Sequence, residues 1–409
     1  MRLAVIGAGP VGLALALHAA AALPAAQVQL FDARPVERDV SGDPRTLALS
    51  LGSVQLLQRL GAWEPAAAQP IIEVHVSQQA PSLGALPGWL GRVVGEPAVR
   101  IRAVDEAVPL LGAVLSYGAI VAPLQRAWLA ACAREPDRLA SRFGTTVTSL
   151  KDLATAGRID AVEVDAAIAE SFDLAVVAEG GVFGAVANNA AAAASEPRPL
   201  QHDYGQTAWV GTVTLRGGRP GVAYERFTRH GPAALLPLPN DRAALVWCVA
   251  SADDPVRELN DAQRLAVLGT VFAAEAGEIV AVSPLKDFAL GLRAERTLTN
   301  GRSVRIGNAA QTLHPVAGQG LNLGLRDAFK LVQGLSRAAD GNIDNVLRRL
   351  EWQRAPDRWA LIAATDFLAR SFTWQLPGAA VARGLGLAAW QALGPVKSAL
   401  TRQMMFGRR

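Results

Sequence analysis

Hydrophobic positions along this chain switch between two periods. Residues 2–6 read as a strand, residues 10–22 as an Ala- and Leu-rich helix, and residues 28–31 as a second strand that ends at Asp32. Residues 71–77 alternate apolar with polar, as a half-buried strand does. Residues 172–178, apolar except for Asp173, suit a buried strand and are followed by an acid and two glycines. Three alternating segments, 203–213, 223–238 and 243–248, are separated by turn residues and predict an antiparallel sheet. Helical patterns cover 53–63, 123–134, 261–274, 320–335 and 344–370, with Asp344 as the expected N-cap of the last. The predicted fold class is α/β: a Rossmann-like domain interleaved with an antiparallel-sheet domain, plus C-terminal helices.

Two stretches carry chemistry. The first is Gly7-Ala8-Gly9-Pro10-Val11-Gly12, placed between the first strand and the first helix. There Gly7 permits a tight turn, Gly9 lets backbone reach a pyrophosphate, and Gly12 lets helix pack on strand. Asp32, 20 positions after Gly12, is placed to hold ribose hydroxyls. The second stretch begins with a short strand at 303–306 that stops at Gly307. Pro315, Gly318 and Gly320 then enforce a shaped loop before the helix that starts near Gly320. Free N–H groups at that helix start, Gly320-Leu321-Asn322, suit an anion or an electron-rich ring edge.

Size and charge narrow the partners. A chain of 409 residues, 51% hydrophobic, can bury a substantial core in two joined domains. A net charge of +4 without a dense basic run argues against nucleic acid. Cys132 and Cys248 read as buried thiols of a reducing compartment, which points to the cytoplasm. The strand at residue 2 leaves no room for a signal peptide, and no run of about 18 uncharged apolar residues appears. Beyond Pro377, apolar turns alternate with Lys397, Arg402, Arg408 and Arg409; this tail suits either contact with the inner face of a membrane or packing on the domain or a partner. No His, Cys and carboxylate grouping shows metal-ligand spacing.

The stretch from Gly307 to Asn322 resembles the second FAD-binding motif of the flavoprotein aromatic hydroxylases, the p-hydroxybenzoate hydroxylase class. Within it the chain is most similar to the ubiquinone-biosynthesis branch, the 2-polyprenyl-phenol hydroxylases. Two positions depart from the common motif: Asn308 stands where most of the class has Asp, and Gln311 where it has His. The segment 43–50 resembles the one whose arginine contacts the cofactor phosphates, which gives that role to Arg45. The resemblance also assigns cofactor contacts to Gln125, to backbone near Val147 in an expected strand at 145–147, and to Glu179. Glu179 replaces the Asp of a middle motif that serves both FAD and the nicotinamide donor, and the Ser and Arg that follow in the family are missing.

What the resemblance implies is an FAD-dependent monooxygenase. NAD(P)H reduces the flavin, O2 adds to it, and one oxygen atom passes to the ring of a prenylated phenol, with other ubiquinone-biosynthesis proteins as possible partners. It divides the chain into a discontinuous FAD-binding domain (1–70, 112–187 and 286–340), a substrate-binding antiparallel sheet domain (71–111 and 188–285) and a C-terminal helical region (341–409). Pro315 would border the flavin on its substrate side. Tyr204, Trp209, Phe227 and Leu236 would line the substrate space, with Tyr204 and His314 as candidate donors to the phenol hydroxyl; each aromatic can equally be core, and His314 equally structural. Arg326 and Asp327 read as a local ion pair on a helix face. Two rival readings stand beside this one: a hydroxylase of a soluble aromatic, and a flavin-binding inactive subunit that scaffolds a quinone-biosynthesis assembly.

Overall fold

The structure, a computed structural model, describes residues 1–79, 98–178, 198–272, 274–314, 318–338, 342–371 and 379–407. The strands that matter here begin with β1 (Arg2–Ile6), β2 (Gln27–Asp32), β3 (Thr46–Ser50), β4 (Glu73–Gln78), β5 (Ala98–Arg102), β6 (Gly112–Ser116), β7 (Leu139–Phe143) and β8 (Leu174–Val177). They continue with β9 (Leu200–Arg216), β10 (Val222–Phe227), β11 (Pro232–Leu238), β12 (Arg242–Ala250), β13 (Glu278–Val282), β14 (Lys286–Ala294), β15 (Ser303–Arg305) and β16 (Gln311–Thr312). The helices are α1 (Pro10–Ala22), α2 (Leu51–Arg59), α3 (Tyr117–Arg134), α4 (Asp261–Val271), α5 (Gly320–Arg337), α6 (Ile343–Ser371), α7 (Ala379–Ala392) and α8 (Gly394–Phe406).

β1 sits at the centre of a mainly parallel sheet, with β8 and β15 on one side and β2 and β7 on the other. Its residues are buried on both faces, as a central parallel strand requires. Leu3 and Val5 face α1, α3 and α5, while Ala4 and Ile6 face a three-stranded meander over residues 149–172. The Ala-rich helix α1 is buried nearly all round because sheet and helices enclose it. The expected strand at 145–147 is a connection instead. There the Thr145 amide bonds the Asp32 carbonyl (2.9 Å), and the Val147 side chain packs in the core beneath the meander.

The second sheet runs β16-β14-β9-β12-β11-β10-β4-β5, with β13 added alongside β9. It is antiparallel as predicted, except that β10 and β4 pair in parallel. One face packs on α4 through Trp209, Tyr224, Leu235 and Trp247. The opposite face looks toward β3, β6, α6 and the C-terminal helices.

Three local expectations are corrected. Asn342, not Asp344, caps α6 by accepting the Asn345 amide (3.1 Å), because Asp344 is drawn to Arg158 and Arg302 (2.7 and 3.0 Å). Arg326 and Asp327 do not pair locally: Asp327, fully buried, accepts from Arg354 of α6 (2.6 Å), and Arg326 reaches Asp357 (3.5 Å) and the Met404 carbonyl of α8. Both cysteines are free, with Cys248 buried but Cys132 only half-buried and within 3.4 Å of the Ser141 hydroxyl.

Candidate active site

The glycine loop is built as its sequence implies. Gly7 adopts φ of 103°, in the region L side chains avoid, and its amide bonds the Phe31 carbonyl (2.7 Å). Asp32 closes the loop from the end of β2, its carboxylate accepting from the Ala8 amide and from the Arg34 amide (2.8 Å). A carboxylate has lone pairs beyond those two for a ribose.

Arg34, which the sequence reading did not single out, lies beside this pair. Its guanidinium is 3.8 Å from Asp32 and donates to Gln125 Oε1 (2.9 Å), while its second terminal nitrogen, Nη1, is buried without a partner. Such a donor is costly unless a ligand satisfies it. Only the spacing of two from Asp32 hinted at it.

Arg45 reaches the same place by another route. Its guanidinium grips Asp43 through a bond of 2.7 Å and lies 4.1 Å over the Tyr117 ring. The Tyr117 hydroxyl is 3.7 Å from where a Cβ on Gly9 would sit. Asp43 is held below the usual carboxylate range, chiefly by the Arg45 hydrogen bond, so the pair is ionised and half in solvent.

The third segment arrives from the other side. Gly307, at φ of 60°, and Gly324 of α5 let backbone meet backbone: a Cβ on Gly324 would lie 2.7 Å from Gly307 Cα and 2.9 Å from Val11 of α1. Gly324 was also not singled out, although a glycine four positions into a helix is visible as Gly320-Leu321-Asn322-Leu323-Gly324. Asn308 is exposed on the turn. The first α5 amide bonded back to the N-cap is Leu323, to Gln319 (2.9 Å), which leaves the amides of 320–322 at the helix start. The Asn322 side chain is not free for a ligand. It accepts from the Ser50 amide (2.8 Å) and the Ser53 hydroxyl (2.7 Å) and donates to the Ala48 and Gly318 carbonyls (3.0 and 3.1 Å), fixing the loop to β3. The segments beginning at residues 7, 45 and 307 therefore converge. Glu179 and Pro315 lie outside the described residues.

The expected substrate residues divide. Tyr204 and His314 share one side of the large sheet, rings 5.3 Å apart, with His314 Nε2 3.0 Å from Gln206 Oε1 and the Tyr204 hydroxyl bonded to Asp366 (3.2 Å). Burial pushes the His314 pKa down to about 4, so its imidazole is neutral near pH 7. Phe227 and Leu236 lie on this same sheet face, toward β3 and β6. Trp209 does not: its indole donates to Asp254 (3.1 Å) among the residues packed on α4. Alternation along β9 keeps Tyr204, Ala208 and Val210 on one face, so Trp209 is core on the far side of the sheet.

Gln311, which stands at the histidine position of the common motif, is buried and accepts from Arg358 (2.6 Å). With Asp327 and Arg354 it ties the loop and α5 to α6. A cavity lined by Arg59, Arg326, Lys330 and Arg354 lies between α2, α5 and α6, and none of the predicted site residues lines it.

Residues 165–365 match the family model described as FAD binding domain. In structure the chain is similar to Klebsiella pneumoniae HpxO complexed with FAD and uric acid, at a TM-score of 0.66 and 17% identity over 100% of this chain and 97% of that one. Fold and site together define an FAD-binding protein with the architecture of the flavin monooxygenases. In sequence it is 37% identical to the ubiquinone hydroxylase UbiL of Rhodospirillum rubrum over 49% of this chain and 48% of that protein. It is 27% identical to the 3-demethoxyubiquinol 3-hydroxylase of Escherichia coli over 97% of this chain and 96% of that protein. Over residues 165–365 the chain is similar to the FAD binding domain family, and over most of its length it is similar to a ubiquinone-pathway hydroxylase. Its match spans about half the length of several curated relatives, the R. rubrum protein among them.

Proposed function

We propose that this protein is an FAD-dependent monooxygenase that hydroxylates the aromatic ring of a polyprenylated phenol in ubiquinone biosynthesis, with NAD(P)H as donor and O2 as co-substrate. The observation that carries the reading is the convergence of the Gly7–Gly12 loop, Arg45 and the start of α5, on the side of the large sheet that carries Phe227 and Leu236. The residues fit the cofactor. The buried, partnerless nitrogen of Arg34, the close backbone approach at Gly9 and two helix starts make a place for a dinucleotide's charge. Bound FAD supplies electron transfer and oxygen activation.

The rest falls to the chain. Gly7, Gly9 and Gly12 admit the pyrophosphate, Asp32 holds ribose hydroxyls, and Arg45 leaves Asp43 to share its fork with a phosphate. Gln125 and Asn308 bond the ribityl chain, backbone near Val147 borders the adenine, and the amides of Gly320, Leu321 and Asn322, after the turn at Gly318, face the negative edge of the ring system. The resemblance adds Glu179 and Pro315 to the set. Phe227 and Leu236 present an apolar wall to the prenylated ring, with Tyr204 and His314 at its far end; the sheet excludes water. The chain divides into cofactor, sheet and C-terminal parts, the first two discontinuous, and the strand Lys286–Ala294 joins the sheet part.

The deciding assay combines flavin content, NAD(P)H oxidation and product analysis with a short prenylated phenol. Yellow protein that oxidises NAD(P)H and hydroxylates the ring is expected; tight FAD without reduction under any donor would overturn the reading in favour of the scaffold. Arg45→Ala should weaken FAD binding about 10- to 100-fold, the worth of a charge-assisted bond. Flavin content after gel filtration measures it, and unchanged retention would contradict the role.

No helix among the described residues is long and apolar enough to cross a membrane. α7 and α8 nevertheless expose Leu385, Leu393, Val396 and Leu400, which supports peripheral contact where a prenylated substrate resides. The same tail is also packed on the body, Arg402 bonding Glu106 (3.1 Å) and Met405 buried. Co-sedimentation with anionic vesicles should be lost on Val396→Glu with Leu400→Glu; binding unchanged by that pair would remove the proposal.

A further inference from the structure

A row of side chains crosses the inner face of the large sheet from strand to strand: Val99, Val76, Glu225, Ala234, Val246, Val210. Directly paired residues point to one face, so a carboxylic acid stands in an otherwise apolar line. Val99 and Val76 belong to one hydrophobic cluster, with Phe227, Leu51 and Val114; Val246 and Val210 pack on another, with Tyr204, Cys248 and Leu290. In the row, Glu225 and Ala234 stand between the two.

Both clusters lead to the cofactor loop. The first includes Ala48, whose methyl is 3.5 Å from where a Cβ on Gly318 would sit, and the second includes Leu313, next to His314. Glu225 thus lies on the sheet face that also carries Phe227 and Leu236, the face to which the proposed function assigns the substrate ring. The donors expected there are engaged, Tyr204 with Asp366 and His314 with Gln206.

We propose that Glu225 is the base that accepts the proton of the substrate's phenolic hydroxyl, an assignment that rests on the function proposed above. In that step the phenol O–H bond breaks, a new O–H bond forms on the carboxylate, and the electron pair left on oxygen enriches the ring carbons ortho and para to it. Nothing is oxidised or reduced. Glu225 is half-buried, and among the described residues no hydrogen-bonding or charged group offsets its burial, which pushes its pKa up to about 7. The titratable neighbour on this face is Cys248, whose thiol is pushed up to about 12 by burial and then by Glu225. Arg226, on the alternate side of β10, instead bonds the Val271 carbonyl at the end of α4 (2.9 Å), and the Tyr224 and His75 rings meet edge to face on that side. A carboxyl poised near neutrality is matched to proton abstraction from a phenol.

The test uses FAD-loaded wild-type protein and Glu225→Gln between pH 5 and 9. Tryptophan fluorescence reads binding of 2-prenylphenol and of its methyl ether, and product formation reads turnover. Wild type should favour the phenol over the ether about tenfold or more above pH 7, with kcat rising through pH 7. Glu225→Gln should lose the preference, lose the rising limb and lower kcat about 100-fold. Its melting temperature should exceed wild type at pH 8 and match it below pH 4.5, because a carboxyl with a raised folded pKa forfeits stability as pH climbs through that value. A variant that keeps both the phenol preference and the rising limb would overturn the assignment. Wild type that binds the phenol through Glu225 yet never hydroxylates it would instead overturn the function and leave the assignment standing.

Discussion

Gly12→Ala should yield protein that retains less than a tenth of the wild-type flavin after gel filtration. A Cβ at this position would lie 1.9 Å from the Gly7 carbonyl oxygen, 3.1 Å from its carbon and 3.3 Å from the Ala178 methyl. The obstructing atoms are backbone, so no rotamer change relieves them. Either α1 lifts from β1 or the loop turns, and both disturb the Gly7–Phe31 and Ala8–Asp32 bonds that shape the pyrophosphate site. Overpacking of this kind costs about 1–3 kcal/mol where side chains can yield, and more where they cannot. Gly42→Ala is the control, since nothing lies within 4 Å of a Cβ there. Equal absorbance at the flavin band in both variants would show that the loop is not the cofactor's seat.

The second large effect is on folding. Asp327→Ala should lower stability by about 3–5 kcal/mol, read as a drop in the urea midpoint, because it strands a buried cation. Arg354 is almost fully buried, and burial opposes its charge; Asp327 and Asp357 together outweigh that, so its pKa stays raised. With Asp327 gone, the bond to Asp357 (2.8 Å) is the one that remains among the described residues, where the nitrogen Nη2 already lacks a partner. Glu278→Ala, which breaks an exposed pair with Arg216, should change stability by less than about 1 kcal/mol. Because Asp327 lies in the second turn of α5 and also receives Gln311 (3.4 Å), its loss should loosen the cofactor loop and weaken FAD binding. Similar midpoints for the two variants would mean that the α5–α6 network is not a stabilising element.

These variants touch parts of the molecule that were unequally legible. The glycine loop, Asp32 and the start of α5 could be read because each depends on residues a few positions apart: a positive φ, a missing Cβ, an unbonded helix amide. The antiparallel sheet was legible for the same reason, through alternation along single strands. Arg34 was not, since a buried nitrogen without a partner exists only once Gln125 of α3 has arrived beside it. Trp209 was assigned to the wrong face because it was grouped with Tyr204, although it stands an odd number of positions from it and alternation along β9 sends the two side chains to opposite faces. The Asp344 cap failed because two arginines distant in sequence compete for its carboxylate.

The sequence by itself determined the nucleotide fold, the antiparallel sheet and the positions where backbone must come close, because those follow from periodicity and from glycine stereochemistry within short windows. Only the tertiary structure decided which acids and bases are paired, which face of each strand meets the cofactor loop, and that Glu225 stands in an apolar row with no group among the described residues to offset its burial. Pairing and facing depend on register summed across several strands and on helices that meet from opposite ends of the chain. A local pattern carries no record of those distances.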